Sequence, residues 1–184
     1  MKGSRLRNRD RYLEEAMLFR DTDLIKVITG VRRCGKSSLL DLIRMTIESE
    51  GVAGRGFVSV NLESKGTGIK TEDQLYDYVR GRLSDKGRTY VFIDEPQRID
   101  GWQDAVNAMR VDFDCDIYLA GSNAYLLSSE LATYLSGRYV EVKMLPLSFS
   151  SSPTFAESSL YQELRWLSLP GDPVLFDDML YSLP

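Results

Sequence analysis

The feature that most constrains the fold of this chain is an eight-residue segment, residues 30–37, which reads G-V-R-R-C-G-K-S. The segment matches the pattern G-x-x-x-x-G-K-S/T over its full length. An apolar run at residues 24–29 precedes it, and apolar residues with helical spacing follow it at residues 36–49. A buried strand, a glycine-rich turn and a helix in this order arrange backbone N–H groups around a phosphate. The sequence therefore predicts a phosphate-binding loop.

Several residues of this loop have an expected role toward a nucleoside triphosphate. Gly30 and Gly35 allow the backbone to curl so that successive N–H groups face the phosphates. Lys36 is expected to reach the β- and γ-phosphates, and the Ser37 hydroxyl is expected to coordinate Mg²⁺. The remaining residues of the predicted binding segment are Val31, Arg32, Arg33, Cys34 and Ser38.

Three of these side chains have two interpretations each, and the sequence does not decide between them. Arg32 and Arg33 either contact phosphate or project into solvent beside an anionic ligand. Cys34 lies beside a helix N-terminus, where a thiolate is stabilised, so it is either a redox-sensitive thiol or a small residue that fits the loop.

An acidic pair ends the predicted strand at residues 89–94. Four apolar residues lead to Asp94, a pattern typical of a Walker B strand, and we expect Asp94 to hold Mg²⁺ through a water molecule. Glu95 is placed to act as the general base that polarises the attacking water. A further strand at residues 57–61 intervenes between the phosphate-binding loop and this strand, which indicates the additional-strand class of P-loop proteins. Because the GTPase motif N-K-x-D is missing from the sequence, ATP is favoured over GTP.

Strand and helix patterns alternate along residues 1–149. The predicted strands are residues 24–29, 57–61, 89–94, 116–120 and 139–144. The predicted helices are residues 36–49, one opened by a capping box of Thr71 and Gln74, one capped by Asp100, and residues 123–135. This alternation predicts an α/β fold, a three-layer α/β/α P-loop NTPase sandwich with a parallel sheet of about five strands.

Five segments, taken together and in this order, resemble those of prokaryotic AAA-type ATPases whose chains continue into a winged helix and a nuclease-like domain. The segments are ITGVRRCGKSSLL, FIDEPQ, AGSN, LSGRY and LPLSF, and the resemblance covers about residues 5–149. It implies that Ser122 or, preferably, Asn123 senses the γ-phosphate. It also implies that Arg138 is an arginine finger acting on a neighbouring subunit of a homo-oligomer. Alternatively, Arg138 caps the C-terminus of the preceding helix.

The resemblance stops at Phe149. We therefore expect an AAA-type ATP-binding domain at residues 1–149 and a divergent, irregular or truncated tail at residues 150–184, where prolines interrupt any helix.

Composition limits the chemistry and the partners. The sequence contains no histidine, which excludes histidine-based metal ligation and Ser–His or Cys–His catalysis. No apolar run approaches the roughly 18 residues that span a bilayer, and no secretory signal is seen, so we expect a cytoplasmic protein that is not in a membrane. The net charge of −4 argues against nucleic-acid binding over the whole surface. A basic stretch at residues 2–11 leaves a nucleic-acid or protein partner open.

The function predicted from these residues is ATP binding and Mg²⁺-dependent ATP hydrolysis. The alternative is a nucleotide-dependent switch or scaffold with little turnover, with a link to nucleic acid left open. Asn61, which closes the second predicted strand, is a further candidate for a residue that holds Glu95 inactive until a partner binds.

Overall fold

The computed structural model describes residues 10–52, 56–122, 135 and 137–145. Its strands are β1 (Ile25–Gly30), β2 (Phe57–Asn61), β3 (Thr89–Asp94), β4 (Cys115–Ser122) and β5 (Tyr139–Met144). Its α-helices are α1 (Asp10–Met17), α2 (Lys36–Ser49), α3 (Glu72–Arg80) and α4 (Trp102–Asp112), and two short 3-10 helices lie at Lys65–Thr67 and Pro96–Arg98.

The five strands form one parallel sheet in the order β2-β3-β4-β1-β5. Strand β4 lies between β1 and β3, pairing Gly30 with Ser122 and Asp94 with Ala120. The carboxyl ends of β1 and β3 therefore meet at the same edge of the sheet, on either side of β4. This is the additional-strand arrangement, and it confirms the fold class predicted from the sequence.

Side chains of each central strand alternate between two apolar layers, because successive residues of a strand point to opposite faces. In β3, Val91 and Ile93 face one layer, and Tyr90 and Phe92 face the other. Helices α3 and α4 cover the first layer with buried residues that include Leu75, Val79, Trp102, Val106 and Met109. Helices α1 and α2 cover the second with Ala16, Leu39, Leu40, Ile43 and Ile47. Helices on both faces of the sheet give three layers.

Most predicted elements agree with the structure, and β2, β3 and β5 have their predicted bounds. Thr71 caps α3, accepting from the Gln74 N–H at 3.3 Å. The Gln74 side chain reaches back to the Lys70 N–H at 2.8 Å, one residue earlier than in a standard capping box.

The helices differ from the sequence analysis in three respects. Asp100 does not cap α4, because Gly101 is the N-cap residue, in a left-handed conformation that glycine adopts readily. The apolar helical spacing expected over residues 36–49 holds only in part, since Met45 is 53% exposed. Helix α1 was not predicted, although its Ala16 is fully buried against the α2 layer.

Other predictions lie outside the described residues. These are the helix at residues 123–135, of which only Leu135 is described, and the tail at residues 150–184. The boundary between residues 149 and 150 stays a prediction. Among the residues that the structure describes, no helix is both long and apolar enough to cross a membrane.

Candidate functional site

The turn after β1 has no room for a side chain at Gly30. A Cβ atom there would lie 2.5 Å from the carbonyl oxygen of Met144 on β5 and 2.7 Å from the Cys34 Sγ, and the residue has a φ of 155°. The backbone of the loop is therefore packed directly against the neighbouring strand. Glycine at this position is a steric requirement of the turn.

Two residues with left-handed backbone conformations curl the rest of the loop. Arg33 has a φ of 66° and Gly35 has a φ of 93°, and the Cys34 N–H donates to the Val31 carbonyl at 3.3 Å. Helix α2 begins at Lys36. Its N-cap residue, Gly35, has no side chain that could accept hydrogen bonds from the first N–H groups of the helix. The first N–H groups of α2 are thus left for an anion, which the positive end of the helix dipole also attracts.

The Lys36 ammonium lies inside this loop. Its Nζ donates to the carbonyl oxygens of Gly30 and Val31, each at 3.1 Å, and the residue is only 6% exposed. In the described part of the chain this buried ammonium forms no ion pair, and a phosphate group would supply an anion in direct contact with it.

The two arginines of the loop face solvent. Arg33 is exposed, and the Arg32 guanidinium, 83% exposed, lies 3.7 Å from the Glu63 carboxylate. Glu63 also accepts from Arg98 at 3.1 Å. Both arginines project into solvent in the structure, and contact of either with phosphate stays a prediction.

The remaining loop residues differ in exposure. Cys34 is 3% exposed and packs in the layer under α2, so it fits the loop as a small apolar residue and is not an accessible thiol. Ser38 and Val31 are exposed.

The Ser37 hydroxyl and the Asp94 carboxylate meet at the shared edge of the sheet. Ser37 Oγ donates to Asp94 Oδ2 at 2.7 Å, and Asn61 Nδ2 donates to the same oxygen at 3.1 Å. Asp94 is 7% exposed, and its other oxygen, Oδ1, is buried without a hydrogen-bond partner in the described part of the chain. Burial raises the pKa of the Asp94 carboxyl, and the hydrogen bond from Ser37 offsets part of that shift.

These residues fit a magnesium ion. An orphaned carboxylate oxygen beside a hydroxyl is the oxygen-only donor set that Mg²⁺ uses with few protein ligands and several waters. A cleft of about 310 Å³ opens at this point and provides room for such waters. It is lined by Ser37, Leu40, Asp41, Arg44, Ser59, Val60, Asn61, Phe92 and Asp94.

Among the described residues Asn61 makes no hydrogen bond to Glu95, contrary to the hypothesis from the sequence. Its amide nitrogen donates to Asp94, and its Oδ1 accepts from the Glu63 N–H at 2.8 Å. Strand β2 pairs Asn61 with Asp94 in the sheet, and this register places the asparagine side chain beside the aspartate.

Glu95 directly follows β3 and has a left-handed backbone conformation, with φ 57° and ψ 48°. Its N–H donates to the Ala120 carbonyl on β4 at 2.7 Å, so the turn is anchored to the sheet. Its half-buried carboxylate accepts a hydrogen bond from Gln97 Nε2. Sequence reasoning did not identify Gln97, although a glutamine two residues beyond the proposed base is within reach of it.

Arg138 lies at the amino end of the parallel strands, whereas the loop of the same chain lies at their carboxyl end. Its carbonyl accepts from the Ile25 N–H at 2.9 Å, at the start of β1. Because β1 rises about 3.3 Å per residue, this point is roughly 17 Å from Gly30 along the strand. The exposed guanidinium donates to Asn107 Oδ1 at 3.2 Å.

The predicted sensor residues are only partly described. Ser122 ends β4 opposite Gly30, which is the expected edge of the sheet, while Asn123 lies outside the described residues. The role of either residue stays a prediction.

The fold and the loop together define an ATPase-like nucleotide-binding domain of the P-loop class. Residues 22–152 match the family model described as an AAA domain, and the chain belongs to this family.

Two curated relatives are similar to this chain, and both are uncharacterized proteins. An uncharacterized protein of Haemophilus influenzae is 46% identical over 144 residues, which are 77% of this chain and 36% of that protein. An uncharacterized protein of Methanocaldococcus jannaschii is 35% identical over 126 residues, which are 68% of this chain and 27% of that protein. The chain thus spans well under half the length of both relatives.

Solved structures share the fold at low sequence identity. A DNA polymerase III gamma subunit-related protein from Thermotoga maritima has a TM-score of 0.56 and 14% identity, over 86% of this chain and 54% of that one. RIF2 of Saccharomyces cerevisiae has a TM-score of 0.53 and 12% identity, over 86% of this chain and 67% of that one. At these identities the likeness concerns the fold alone.

Proposed function

We propose that this chain binds ATP together with Mg²⁺ and hydrolyses it to ADP and phosphate. The observation that carries the proposal is the hydrogen bond of 2.7 Å between Ser37 Oγ and Asp94 Oδ2, with the second Asp94 oxygen buried and without a partner among the described residues. A loop hydroxyl and a strand-end carboxylate in this relation form the pair that holds the metal of a P-loop ATPase.

The loop residues bind and orient the triphosphate. The N–H groups at the start of α2 donate to phosphate oxygens, and Lys36 exchanges its two carbonyl partners for the β- and γ-phosphates. Ser37 and Asp94 would hold Mg²⁺, which when bound neutralises charge that develops on the phosphate oxygens.

Glu95 acts as the general base in the hydrolytic step. Its carboxylate accepts a proton from a water molecule, whose oxygen forms a bond to the γ-phosphorus. The bond between that phosphorus and the β–γ bridging oxygen breaks, and ADP leaves with the electron pair. Asn123 as a sensor, and Arg138 from a neighbouring chain as the arginine finger, complete the proposed set.

Removing the proposed metal ligand tests this assignment. We expect Asp94→Asn to abolish the part of the ATP affinity that depends on Mg²⁺, because a neutral amide replaces the carboxylate that opposes the metal charge. ATP titrations by calorimetry, with Mg²⁺ and with EDTA, measure that dependence. The exposed Asp100→Asn is the matched control. An Asp94→Asn chain that still gains affinity from Mg²⁺ as the wild type does would contradict the assignment.

A nucleotide-dependent switch with little turnover is the second candidate. The position of Arg138 favours it for an isolated chain, since the arginine lies at the sheet edge opposite its own loop. The two candidates differ in how turnover per chain depends on concentration. A finger supplied by a neighbouring chain makes turnover rise with chain concentration, and a switch leaves it flat and near zero. A nucleic-acid or protein partner stays a prediction, since residues 2–9 lie outside the described residues.

A further inference from the structure

Gln97 is a polar side chain beside the candidate site to which the proposed function assigns no role. It lies in the 3-10 helix Pro96–Arg98, which directly follows Glu95. Its Nε2 donates to Glu95 Oε2, while its Oε1 is buried and has no hydrogen-bond partner within the described ranges. The amide is thus half satisfied, and its one partner is the proposed base.

The orientation of this amide follows from its partner. The Glu95 carboxylate can only accept hydrogen bonds, so the opposite amide orientation would place two acceptors together. Donation by Nε2 leaves Oε1 buried and unpartnered, which costs stability. A methionine would fill the same space without that cost. The presence of an amide is therefore explained by its contact with Glu95 and not by packing.

Backbone hydrogen bonds and a proline hold the turn that carries both residues. The Glu95 N–H is bound to the sheet through Ala120, and the Glu95 carbonyl accepts from the Arg98 N–H at 3.1 Å. The Ile99 N–H donates to the Pro96 carbonyl at 3.0 Å, and the proline ring fixes its own φ. These contacts fix the backbone positions of Glu95 and Gln97 relative to each other.

We propose that Gln97 is a positioning residue for Glu95. By donating to Oε2 it selects one side-chain conformation of the glutamate and leaves Oε1 as the oxygen that takes the proton from water. A base held in one conformation loses less entropy when the water is aligned, so the effect falls on turnover and not on nucleotide affinity. This inference rests on the proposed function, because it assumes that Glu95 is the base.

The first test compares turnover with ATP affinity in the 184-residue chain. Gln97→Met, which keeps the length and removes the donor, is expected to lower kcat about tenfold and to leave the Kd for ATP–Mg²⁺ within about twofold. Gln97→Glu, which places an acceptor against Glu95, is expected to lower kcat further. Gln74→Met is the matched control, since it also removes one amide hydrogen bond, at the start of α3, and it is expected to retain wild-type kcat.

The second test does not depend on turnover. In protein without added nucleotide, the side-chain NH₂ signals of Gln97, assigned by their loss in Gln97→Met, are followed by ¹H–¹⁵N NMR. A proton donated to a carboxylate resonates downfield of a solvated one, so we expect one Gln97 proton to be shifted downfield. That shift is expected to disappear in Glu95→Ala.

The outcomes separate this inference from the proposed function. Wild-type turnover in Glu95→Gln would overturn the role of the base, and with it hydrolysis as proposed. An inactive Glu95→Gln together with wild-type kcat in Gln97→Met would overturn only the positioning role. A Gln97 NH₂ signal that does not change in Glu95→Ala would overturn it as well.

Discussion

Replacing Glu95 with glutamine is expected to lower phosphate release from ATP by roughly a hundredfold to ten-thousandfold, the usual contribution of a general base. Glutamine keeps the shape of the side chain but cannot accept the proton. The left-handed turn is anchored by the backbone N–H of residue 95 and should not change. ATP–Mg²⁺ affinity is therefore expected to stay near the wild-type value. Phosphate release and calorimetry on the same preparation separate the two quantities.

The control for this variant is Glu48→Gln, the same chemical change on the exposed side of α2. It is expected to leave turnover unaltered. Equal phosphate release by the wild type and Glu95→Gln would remove the hydrolytic mechanism, and a switch would then be the better account. A loss of ATP binding in Glu95→Gln would instead show that the glutamate contributes to the nucleotide site itself.

The largest expected effect on stability comes from a buried ion pair that joins β1 and β4. Lys26 on β1 and Asp116 on β4 are fully buried and bonded to each other. The other Asp116 oxygen accepts from the Asp21 N–H at 2.9 Å and from the Tyr118 hydroxyl at 3.1 Å. Burial lowers the pKa of the Lys26 ammonium, and the aspartate opposes part of that shift.

Lys26→Met is expected to lower the free energy of unfolding by about 3–5 kcal/mol, because it leaves Asp116 as an unpaired buried charge. Adding Asp116→Asn is expected to recover much of the loss, since the pair is then neutral and an amide oxygen still accepts from Asp21 and Tyr118. Denaturant unfolding measures both variants, with Lys143→Met on the exposed side of β5 as the control. If the double variant is no more stable than Lys26→Met alone, the unpaired charge of Asp116 is not the cause of the destabilisation.

Local patterns predicted much of the sheet and the loop. β-branched and aromatic residues indicate β3, because such residues are enriched in strands. The residues around Gly30 and Lys36 indicate the turn into α2, because close backbone packing and a helix N-terminus both restrict the residue types there. Asp94 was correctly placed opposite the loop, because parallel strands end at one edge of the sheet. These features depend on neighbours in sequence and on general rules of strand order.

Other features depend on contacts between distant segments and could not be predicted from local patterns. Lys26 was seen only as a member of an apolar strand, because its partner lies 90 residues away. Asn61 could reach either acid at the end of β3, and only the register of β2 with β3 decides for Asp94. Gly101, and not Asp100, is the N-cap residue of α4, because the backbone at the cap position is left-handed. The sequence indicated the aspartate because aspartate is a common N-cap residue.

We propose that the loop around Lys36 and the end of β3 together bind ATP with Mg²⁺. The most direct measurement is a calorimetric titration of the 184-residue chain with ATP–Mg²⁺, repeated for Lys36→Ala and for Lys65→Ala, an exposed lysine outside the site. We expect saturable binding at one site per chain that is lost in Lys36→Ala and retained in Lys65→Ala. No heat of binding in the wild type, or equal affinity in wild type and Lys36→Ala, would contradict it.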